Sequence, residues 1–305
     1  MSDKNYTKKN YFPGRFLDKV IHKNTLSRKN KQFPKISIVM VSLNHAKFIE
    51  RSILSVLNQG YPNLQFIIID GGSKDATTMI IKKYEKYIDY WVSEHDQGQS
   101  DALNKGFIRA NGEIYGWLNS DDLYLPNSFF VSAKALQNHP NKSLVYGDWL
   151  FINENDIMMN FNHAFDFNLD HFKYEGFHLS AQSMFWRASL HKKFGKFDLS
   201  LDYTMDYQMI LEFGLLSKKG FLRIPKPLGA FRIHEQQKTN DKSLKKIIKE
   251  HKYMAKKYKY MDKYIFIGNF KRFFFRLRRA FWYKKRGGFN NLLYRFVIFL
   301  KNRLM

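Results

Sequence analysis

The 305-residue sequence contains no cysteine. Disulfide bonds and cysteine-ligated zinc sites are therefore excluded, and a reducing compartment is the expected environment. The sequence also lacks any stretch approaching the roughly 20 consecutive apolar residues that a membrane-spanning helix needs. Its first residues, Met1–Tyr6, contain no apolar segment of the kind found in a signal peptide. We therefore expect a cytoplasmic protein, either free or resting on the cytosolic face of a membrane.

Acidic residues are scarce relative to basic ones, and the excess of positive charge lies at the two ends of the chain. The formal net charge is +24. Residues 1–35 contain 10 Lys or Arg against 2 Asp or Glu, residues 241–305 contain 20 against 3, and residues 36–240 contain 21 against 22. Basic ends favour a polyanion, either nucleic acid or an anionic membrane surface. We predict a basic arm (1–35), a neutral domain (36–240) and a basic extension (241–305).

Apolar runs alternate with helical patterns through the first half of the neutral domain. Continuous apolar runs are typical of the buried strands of parallel sheets. Strands that alternate with helices of this length predict parallel pairing in a doubly wound α/β sheet. The predicted strands are Ile36–Val41, Phe66–Ile69, Tyr90–Ser93, Ile114–Leu118, Leu144–Asp148, Gln182–Arg187 and Ala230–His234, and the predicted helices include 47–58, 100–110, 128–138 and one that begins at Met205.

Trp117–Asp122 is the stretch with the clearest chemistry, because two adjacent carboxylates follow a predicted buried strand. In open α/β sheets, ligands bind beyond the carboxyl ends of the strands. Two hard oxygen ligands at such an edge suit Mg²⁺ or Mn²⁺ that carries a diphosphate. The alternative is that Ser120–Asp122 caps the next helix or forms a turn, since Ser and Asp are favoured in both places.

Several motifs between residues 36 and 240 together resemble glycosyltransferase family 2, the inverting nucleotide-sugar enzymes with the GT-A fold. Each motif is weak alone, and their shared order makes the resemblance specific. It implies an α/β, Rossmann-like and mostly parallel sheet flanked by helices, here with a basic helical C-terminal extension. The motifs are Ser42 with Asn44, Ser55–Asn63, Ile69–Asp75, Asp96–Gly106, Trp117–Asp122, Met205–Tyr207 and Phe231–Glu235.

The resemblance implies which residues bind the donor nucleotide. Ser42 and Asp70 match positions that hold the base and ribose, and Asn44 belongs to the same motif as Ser42. Asp101 and Asn104 match a helix face that lines the nucleotide-sugar pocket. The alternative for Asp70 is a turn residue before two glycines. The alternative for Asp101 and Asn104 is a solvated helix surface.

The resemblance also implies a metal site. Asp122 matches the main metal-binding carboxylate of the family's Asp-X-Asp motif, and Ser120 and Asp121 match its less direct positions. His234 matches a histidine near the diphosphate and the metal. Since a lone histidine is often structural, that alternative stays open for His234. The implied cofactor is Mn²⁺ or Mg²⁺.

Asp206 matches the family's catalytic base. Inversion needs one carboxylate to take the proton of the acceptor hydroxyl as it attacks opposite the leaving diphosphate. The alternative for Asp206 is a helix cap or an acid in the first helical turn, and Asp198 and Asp202 compete for the same role. The sequence departs from the family at Leu43, where relatives often carry a stacking Tyr, and at Met205, where an acid often precedes the base.

The C-terminal extension combines positive charge with aromatic residues at helical spacing. A cationic helix with such an apolar stripe is typical of helices that lie in a membrane interface. The alternative is a helical subdomain that packs the stripe on the core. No RNA-binding signature accompanies the basic residues. The stripe consists of Phe270, Phe273, Phe274, Leu277 and Phe281.

We therefore predict a metal-dependent inverting glycosyltransferase of the hexosyltransferase class. Its expected donor is a nucleotide sugar, in the first place a UDP-sugar. Its expected acceptor is a hydroxyl of a glycan or lipid-linked glycan of the surface-polysaccharide or lipopolysaccharide type. We expect a peripheral location on the cytosolic face of an anionic membrane, with no nucleic-acid partner. The alternatives are a polyprenyl-phosphate glycosyltransferase and a nucleic-acid-binding protein that uses its basic ends.

Overall fold

The computed structural model describes residues 14–17, 33–175, 179–239, 243–260, 273–278 and 280–282. Strands and helices alternate through the first half of the domain, as predicted. In that half β1 pairs in parallel with β2 and β4, and β2 pairs in parallel with β3. The bounds are β1 Ile36–Ser42, α1 Ile49–Leu57, β2 Leu64–Asp70, α2 Thr77–Lys83, β3 Tyr90–Ser93, α3 Gln99–Arg109 and β4 Ile114–Asn119.

The second half of the domain adds antiparallel strands to the same sheet. Its bounds are β5 Leu123–Tyr124, α4 Ser128–Asn138, β6 Leu144–Ile152, β7 Met158–Asn162, α5 Leu169–Glu175, β8 Met184–Arg187, α6 Ala188–Phe194, α7 Met205–Leu216, β9 Phe221–Arg232 and α8 Leu244–Lys257. β8 runs antiparallel to β4 and β6, whereas β6 and β9 are parallel. Within the described residues the strand order is β3-β2-β1-β4-β8-β6-β9-β5, with β7 beside β6.

The sheet is covered on both faces, which explains the continuous apolar character of its strands. In β1, Ile36, Ile38 and Met40 belong to one buried apolar cluster. The alternate residues Val39 and Val41 belong to a second cluster. Because successive side chains point to opposite faces of a strand, a strand between two cores must be apolar at every position.

β9 is much longer than the predicted segment Ala230–His234. It extends back through Pro225 and Pro227, and its register with β6 shifts beside Gly147 and Asp148. Proline cannot donate to a sheet ladder and is tolerated in strands at bulges and edges. The bulge accommodates both prolines, and the strand then delivers its carboxyl end to the turn that follows β4.

Both basic ends of the chain contribute described residues to the core of the domain. Leu17 is buried in the first cluster, and Asn58 Nδ2 donates to the Phe16 carbonyl at 2.7 Å. On α8, Met254 is fully buried in the second cluster. Phe270 of the predicted stripe lies outside the described residues. In the described part of the chain, no helix has the length and apolar character needed to cross a membrane.

Candidate active site

The carboxyl ends of β1, β2, β3 and β4 meet at one edge of the sheet. The register pairs Ser42 with Asp70 and Val41 with Asn119, so the loops that follow these strands are neighbours. This edge is where open α/β sheets bind ligands. The structure therefore brings the predicted loop residues together, but it gives them very different partners.

Asp70 is fully buried, and its carboxylate is already surrounded by donors. It accepts hydrogen bonds from the backbone amides of Gly72 (3.2 Å) and Ser73 (2.8 Å). It also accepts bonds from the hydroxyls of Ser73 (2.5 Å) and Ser93 (2.6 Å). These are the contacts of a residue that shapes the loop after β2, and direct contact between Asp70 and a nucleotide stays a prediction.

Asn44 joins the loop after β1 to the loop after β2. Its φ of 54° lies in the left-handed region, which asparagine tolerates better than most residues. Its backbone amide donates to Ser73 Oγ at 2.7 Å, and its Oδ1 accepts from the Lys74 amide at 2.8 Å. Beside it, the buried Ser42 Oγ has no hydrogen-bond partner among the described residues. Leu43 exposes 52% of its surface in the same loop.

Asp101 and Asn104 on α3 are both engaged by protein groups. Asp101 accepts from the Gln97 amide at 3.1 Å and pairs with Lys105 at 3.4 Å. Asn104 Nδ2 donates to the Phe197 carbonyl at 3.0 Å, and its Oδ1 accepts from the Phe197 amide at 2.8 Å. Asn104 therefore ties α3 to the segment that leads to α7.

The acidic turn after β4, Asn119–Asp122, meets two histidines from distant parts of the chain. Nε2 of His234 lies 3.0 Å from Oδ2 of Asp121, and Nε2 of His45 lies 4.0 Å from the same oxygen. Nδ1 of His45 lies 2.7 Å from the buried Ser120 Oγ. Nδ1 of His234 is buried and lacks a partner within the described part of the chain. The turn thus presents one carboxylate between two imidazoles.

Asp122 is held from inside the protein. Its Oδ1 accepts from the Arg232 backbone amide at 2.9 Å, and its Oδ2 accepts from Asn119 Nδ2 at 3.3 Å. The Arg232 guanidinium is 1% exposed, donates to the Asp121 carbonyl at 2.7 Å and pairs with Asp156 at 2.5 Å. This buried cation fixes the backbone of the turn and thereby the direction of Asp121.

The pKa values of the two carboxylates of the turn are shifted in opposite directions. Burial opposes the ionisation of Asp121, but the hydrogen bond from His234 and the nearby His45 outweigh it, so its pKa is lowered. Burial and the neighbouring Asp121 charge raise the pKa of Asp122 well above its usual value. A negatively charged oxygen beside an imidazole is therefore available at Asp121.

The donor set of the turn fits a divalent cation that shares its coordination with a substrate. Among the described residues, no group of three or more His, Asp or Glu side chains is arranged to hold a metal ion. Asp121 and His234 supply two donors. Magnesium-type sites in proteins commonly use one or two carboxylates and complete the shell with substrate phosphates and water. The residues present therefore fit a cation that arrives with a diphosphate.

Asp206 is a half-buried carboxyl group in the first turn of α7, whose N-cap residue is Thr204. Its Oδ1 accepts from the Tyr207 amide at 2.8 Å. Burial raises the pKa of Asp206 to about 7, against the opposing effect of that bond, and the charge of Glu250 adds to the rise. A group with a pKa near neutrality is suited to accept a proton at the working pH.

The two competing carboxylates are engaged by cations. Asp198 pairs with Lys257 at 2.7 Å and also accepts from the Tyr253 hydroxyl at 3.0 Å. Asp202 is exposed and pairs with Lys238 at 2.5 Å. Paired carboxylates are weaker proton acceptors, because the cation stabilises the ionised form. Their contacts favour Asp206 among the three candidates.

The N-terminus of α3 lies between the acidic turn and the segment that carries Asp206. Gln99 Nε2 donates to Asn119 Oδ1 at 2.8 Å. Gly98 has a φ of 103°, and a Cβ there would lie 3.7 Å from Oδ1 of Asp202. The acidic turn and the segment that leads to α7 thus both contact one helix end. Inversion asks for such a division, with the leaving group on one side of the sugar and the base on the other.

From the sequence, no role was assigned to three residues of this region, although Asp96 and Arg232 lie within its motifs. His45 follows β1 in the loop after Ser42. Its position in that loop is the feature of the sequence that could have indicated a role at the site. Asp96 is half-buried, and burial raises the pKa of its carboxyl group. A Cβ on Gly71 would lie 2.6 Å from Oδ2 of Asp96, so a larger residue there would displace this carboxylate. Arg232 bonds Asp122 across 110 residues of sequence, which no local pattern indicates.

Comparisons with known proteins match the sequence of this chain to one family. A family model described as "Glycosyl transferase family 2" matches residues 37–195, slightly more than half of the chain. An uncharacterised glycosyltransferase of Rickettsia typhi is 31% identical over 222 residues, which cover 70% of this chain and 68% of its relative. One of Mycobacterium tuberculosis H37Rv is 29% identical over 192 residues, which cover 62% of this chain and 72% of its relative.

Solved structures share the fold at low identity. The crystal structure of S. aureus TarS 1–349 in complex with UDP-GlcNAc has a TM-score of 0.57 and 18% identity, and the match covers 67% of this chain and 60% of that one. The crystal structure of S. aureus TarS has a TM-score of 0.55 and 19% identity, and the match covers 65% of this chain and 37% of that one. The predicted α/β fold of the GT-A type is confirmed.

Proposed function

The chain belongs to glycosyltransferase family 2, and we propose that it transfers a sugar from a nucleotide sugar to an acceptor hydroxyl, with inversion and with Asp206 as the base. The observation that carries the proposal is the half-buried carboxyl group of Asp206, whose pKa is raised to about 7. A UDP-sugar is the donor that we expect, because the TarS neighbours were solved with UDP-GlcNAc and UDP.

In the proposed reaction Asp206 takes the proton of the acceptor hydroxyl as its oxygen attacks the anomeric carbon. The bond between oxygen and the anomeric carbon forms while the bond to the diphosphate breaks, and the electron pair leaves with the nucleoside diphosphate. A pKa near 7 leaves about half of the Asp206 groups ionised at neutral pH. An ionised phosphate acceptor has no proton to give. The polyprenyl-phosphate alternative therefore requires no general base and gives Asp206 no catalytic role.

The cation that we propose is Mn²⁺ or Mg²⁺, held by Asp121 and His234 beside His45. When bound, it offsets the negative charge that grows on the leaving diphosphate. Carboxylate oxygens suit Mg²⁺ and Mn²⁺, and an imidazole extends the range toward softer cations. Asp122 stays a predicted ligand, although its oxygens are bonded to Arg232 and Asn119. Arg232 orients the turn by donating hydrogen bonds to the Asp121 carbonyl and to the Asp122 carboxylate.

The nucleotide is proposed to lie on the loops after β1 and β2. Ser42 offers a buried hydroxyl, and Leu43 offers an exposed apolar surface in the place of the family's stacking ring. Asp70 and Asn44 act by keeping these loops in shape. Base–aromatic stacking is worth about 1–3 kcal/mol, so the absence of an aromatic ring at position 43 predicts a looser hold on the base.

The acceptor that we propose is a glycan or lipid-linked glycan at an anionic membrane surface. Four large apolar side chains are exposed on the helical residues 273–278 and 280–282, namely Phe273, Phe274, Leu277 and Phe281. Phe275, in contrast, stacks on the buried His171 with ring centroids 5.0 Å apart. Exposed apolar patches beside basic residues such as Arg276 and Arg278 suit a lipid interface. No nucleic-acid partner is proposed.

A panel of nucleotide sugars tests the proposed function directly. Full-length protein is incubated with each donor, Mn²⁺ or Mg²⁺ and a short glycan acceptor, and release of nucleoside diphosphate is measured. We expect turnover with at least one donor, and we expect chelation to reduce it. Silence with every donor, together with RNA binding that weakens steeply with salt, would favour the nucleic-acid alternative.

A further inference from the structure

One carboxylate of the C-terminal extension holds the backbone that leads into the proposed base. Glu250 on α8 accepts hydrogen bonds from the backbone amides of Asp202 (3.0 Å), Tyr203 (3.0 Å) and Thr204 (2.9 Å). It accepts a fourth from the Thr204 hydroxyl at 2.9 Å. A single side chain therefore binds three consecutive amides immediately before α7.

The chemistry of a helix start explains why a carboxylate is suited to this place. The amides around a helix N-terminus lack partners within the helix and carry partial positive charge. Bonds from such amides to an ionised carboxylate are shorter and about twice as strong as neutral ones. Glu250 comes from 46 residues further along the chain than Thr204. Ordering the segment therefore depends on α8 being docked.

Independent contacts dock α8 against the same part of the domain. Met254 is fully buried in the second apolar cluster. Lys257 pairs with Asp198 at 2.7 Å, four residues before the first amide that Glu250 binds. These contacts bring Glu250 to the segment without touching its backbone amides. They offer a way to separate the docking of the helix from the action of the carboxylate.

We propose that Glu250 is a positioning residue for sugar transfer, which fixes the backbone of residues 202–204 and so holds Asp206 where it meets the acceptor hydroxyl. The proposal rests on the proposed role of Asp206. Misplacement of a reacting group by about 1 Å is able to cost on the order of 100-fold in rate. A segment with three amides anchored by one side chain is sensitive to loss of that side chain in this way.

The charge of Glu250 gives the proposal a readout that a purely structural residue lacks. Glu250 contributes to the raised pKa of Asp206. Asp202 is already paired with Lys238. Burial lowers the pKa of His251, against the opposing effect of the Glu250 charge. Among the described residues, the charged or titratable groups near this segment include Asp202 with Lys238, Lys246 over the Tyr203 ring, His251 against the Tyr207 ring, and Asp198 with Lys257.

The decisive variant is Glu250→Gln, which keeps the size of the side chain but removes its charge and one accepting oxygen. We expect kcat to fall by about 10- to 100-fold while the donor KM stays unchanged. The acidic limb of the pH–rate profile should move to lower pH, because burial still raises the Asp206 pKa but the added contribution of the Glu250 charge is gone. If Glu250 only packed α8 onto the domain, its replacement would not lower kcat selectively at constant donor KM. It would also leave the acidic limb of the pH–rate profile in place.

Two further variants act as controls. Lys257→Gln removes a different anchor of α8, so we expect a lower Tm with an unmoved pH limb. Glu250→Asp keeps the charge on a shorter side chain, so we expect it to lower kcat less than Glu250→Gln and to keep the wild-type limb. If Glu250→Gln does not fold, Thr204→Val decides, since it deletes only the hydroxyl bond and should lower kcat by a few-fold at constant donor KM.

The outcomes separate this proposal from the role of Asp206 itself. If Asp206→Asn abolishes transfer but Glu250→Gln behaves as Lys257→Gln does, the positioning role is wrong and the base assignment survives. If Asp206→Asn keeps near-normal activity, the base assignment fails first and takes the positioning role with it. If the pH limb shifts in Glu250→Gln but not in the control variants, the result supports both the base role of Asp206 and the positioning role of Glu250.

Discussion

The acidic turn and the base-bearing segment belong to one candidate site but are built by different means. The turn Asn119–Asp122 is fixed from within the sheet, by Arg232 at the end of β9 and by His45 after β1. The segment before Asp206 is fixed from outside, by Glu250 of the C-terminal extension. The proposed donor side is therefore completed within residues 36–240, whereas the proposed acceptor side needs α8 of the extension.

This difference matches the division of labour in the proposed reaction. The proposed donor side is built into the sheet by contacts of Arg232 and His45. The base segment is held by a separate helix, so it is open to change without disturbing the proposed donor side. The family model ends at residue 195, so both Asp206 and Glu250 lie beyond the matched region.

The largest effect is expected from breaking the acceptor side at its reacting group. Asp206→Asn removes proton acceptance but keeps size, so the transfer rate should fall by about 10²–10⁴-fold. Binding of the nucleotide sugar, measured by calorimetry, should be unchanged because the base faces the acceptor. A transfer rate within a few-fold of wild type would pass the role to Asp202 or remove it.

The same variant should be more stable than the wild type at high pH. The folded-state pKa of Asp206 is raised to about 7, whereas an unfolded Asp titrates near 3.9. Between these values the folded protein keeps a proton that the unfolded chain has lost, so stability falls as pH rises through this window. We expect the Tm of Asp206→Asn to exceed that of the wild type at pH 8 and to match it at pH 4.

On the proposed donor side, the two carboxylates of the turn are expected to contribute differently to cation binding. Asp121→Asn should weaken Mn²⁺ binding in the presence of UDP by at least about 100-fold, because it removes the oxygen beside His234. Asp122→Asn should weaken it by about 10- to 100-fold, as the loss of an orienting partner does.

Titration of free Mn²⁺ by electron paramagnetic resonance measures both affinities without any turnover. If Asp122→Asn abolishes Mn²⁺ binding at an unchanged Tm while Asp121→Asn retains it, Asp122 is the main ligand, as the family resemblance implies. Ser120→Ala is the matched control, since it removes only the hydroxyl beside His45.

The sheet was predictable from sequence where local pattern decides the structure. β1 is apolar at successive positions because both faces of the sheet are covered, and the sequence shows that directly. β9 was predicted only at its end, because Pro225 and Pro227 argue against a strand. The bulge that accepts them is set by pairing with β6, more than 70 residues away.

The site was predictable as a set of residues but not as a set of contacts. The motifs brought Asp70, Asp121 and Asp122 to one sheet edge, and that placement is observed. Which oxygens are already satisfied depends on Ser93 for Asp70 and on Arg232 for Asp122, both distant in sequence. Glu250 carried no signal, since a lone acid in a basic helix is indistinguishable from solvated surface.

The raised pKa of Asp206 predicts a smaller effect that needs no mutation. If the ionised carboxylate is the base, the rate follows its ionised fraction and falls about tenfold per pH unit below the pKa. Between pH 7 and pH 5 the decrease should be about 50-fold. Donor saturation must be kept at every pH. A rate that is flat from pH 7 to pH 5 would contradict the assignment of the base.

The smallest effect is expected from the exposed apolar face of the extension, and it tests whether the acceptor side also faces lipid. Phe273 and Phe281 are 60% and 69% exposed, so replacing both by Ser should leave the fold intact. Burying a phenylalanine contributes about 1.5–3 kcal/mol, and partial insertion is worth less, so binding to anionic liposomes should weaken by roughly tenfold. Met79→Ser removes a similarly exposed side chain (72%) from α2 and is the control.

We expect the wild-type protein to sediment with anionic vesicles at low salt, with weaker binding at high salt and little binding to zwitterionic vesicles, because Lys and Arg near the surface add about 1 kcal/mol each. Equal binding by the double variant and the control would show that electrostatic attraction, and not the apolar face, accounts for the binding. Absence of binding by the wild-type protein would contradict the membrane proposal.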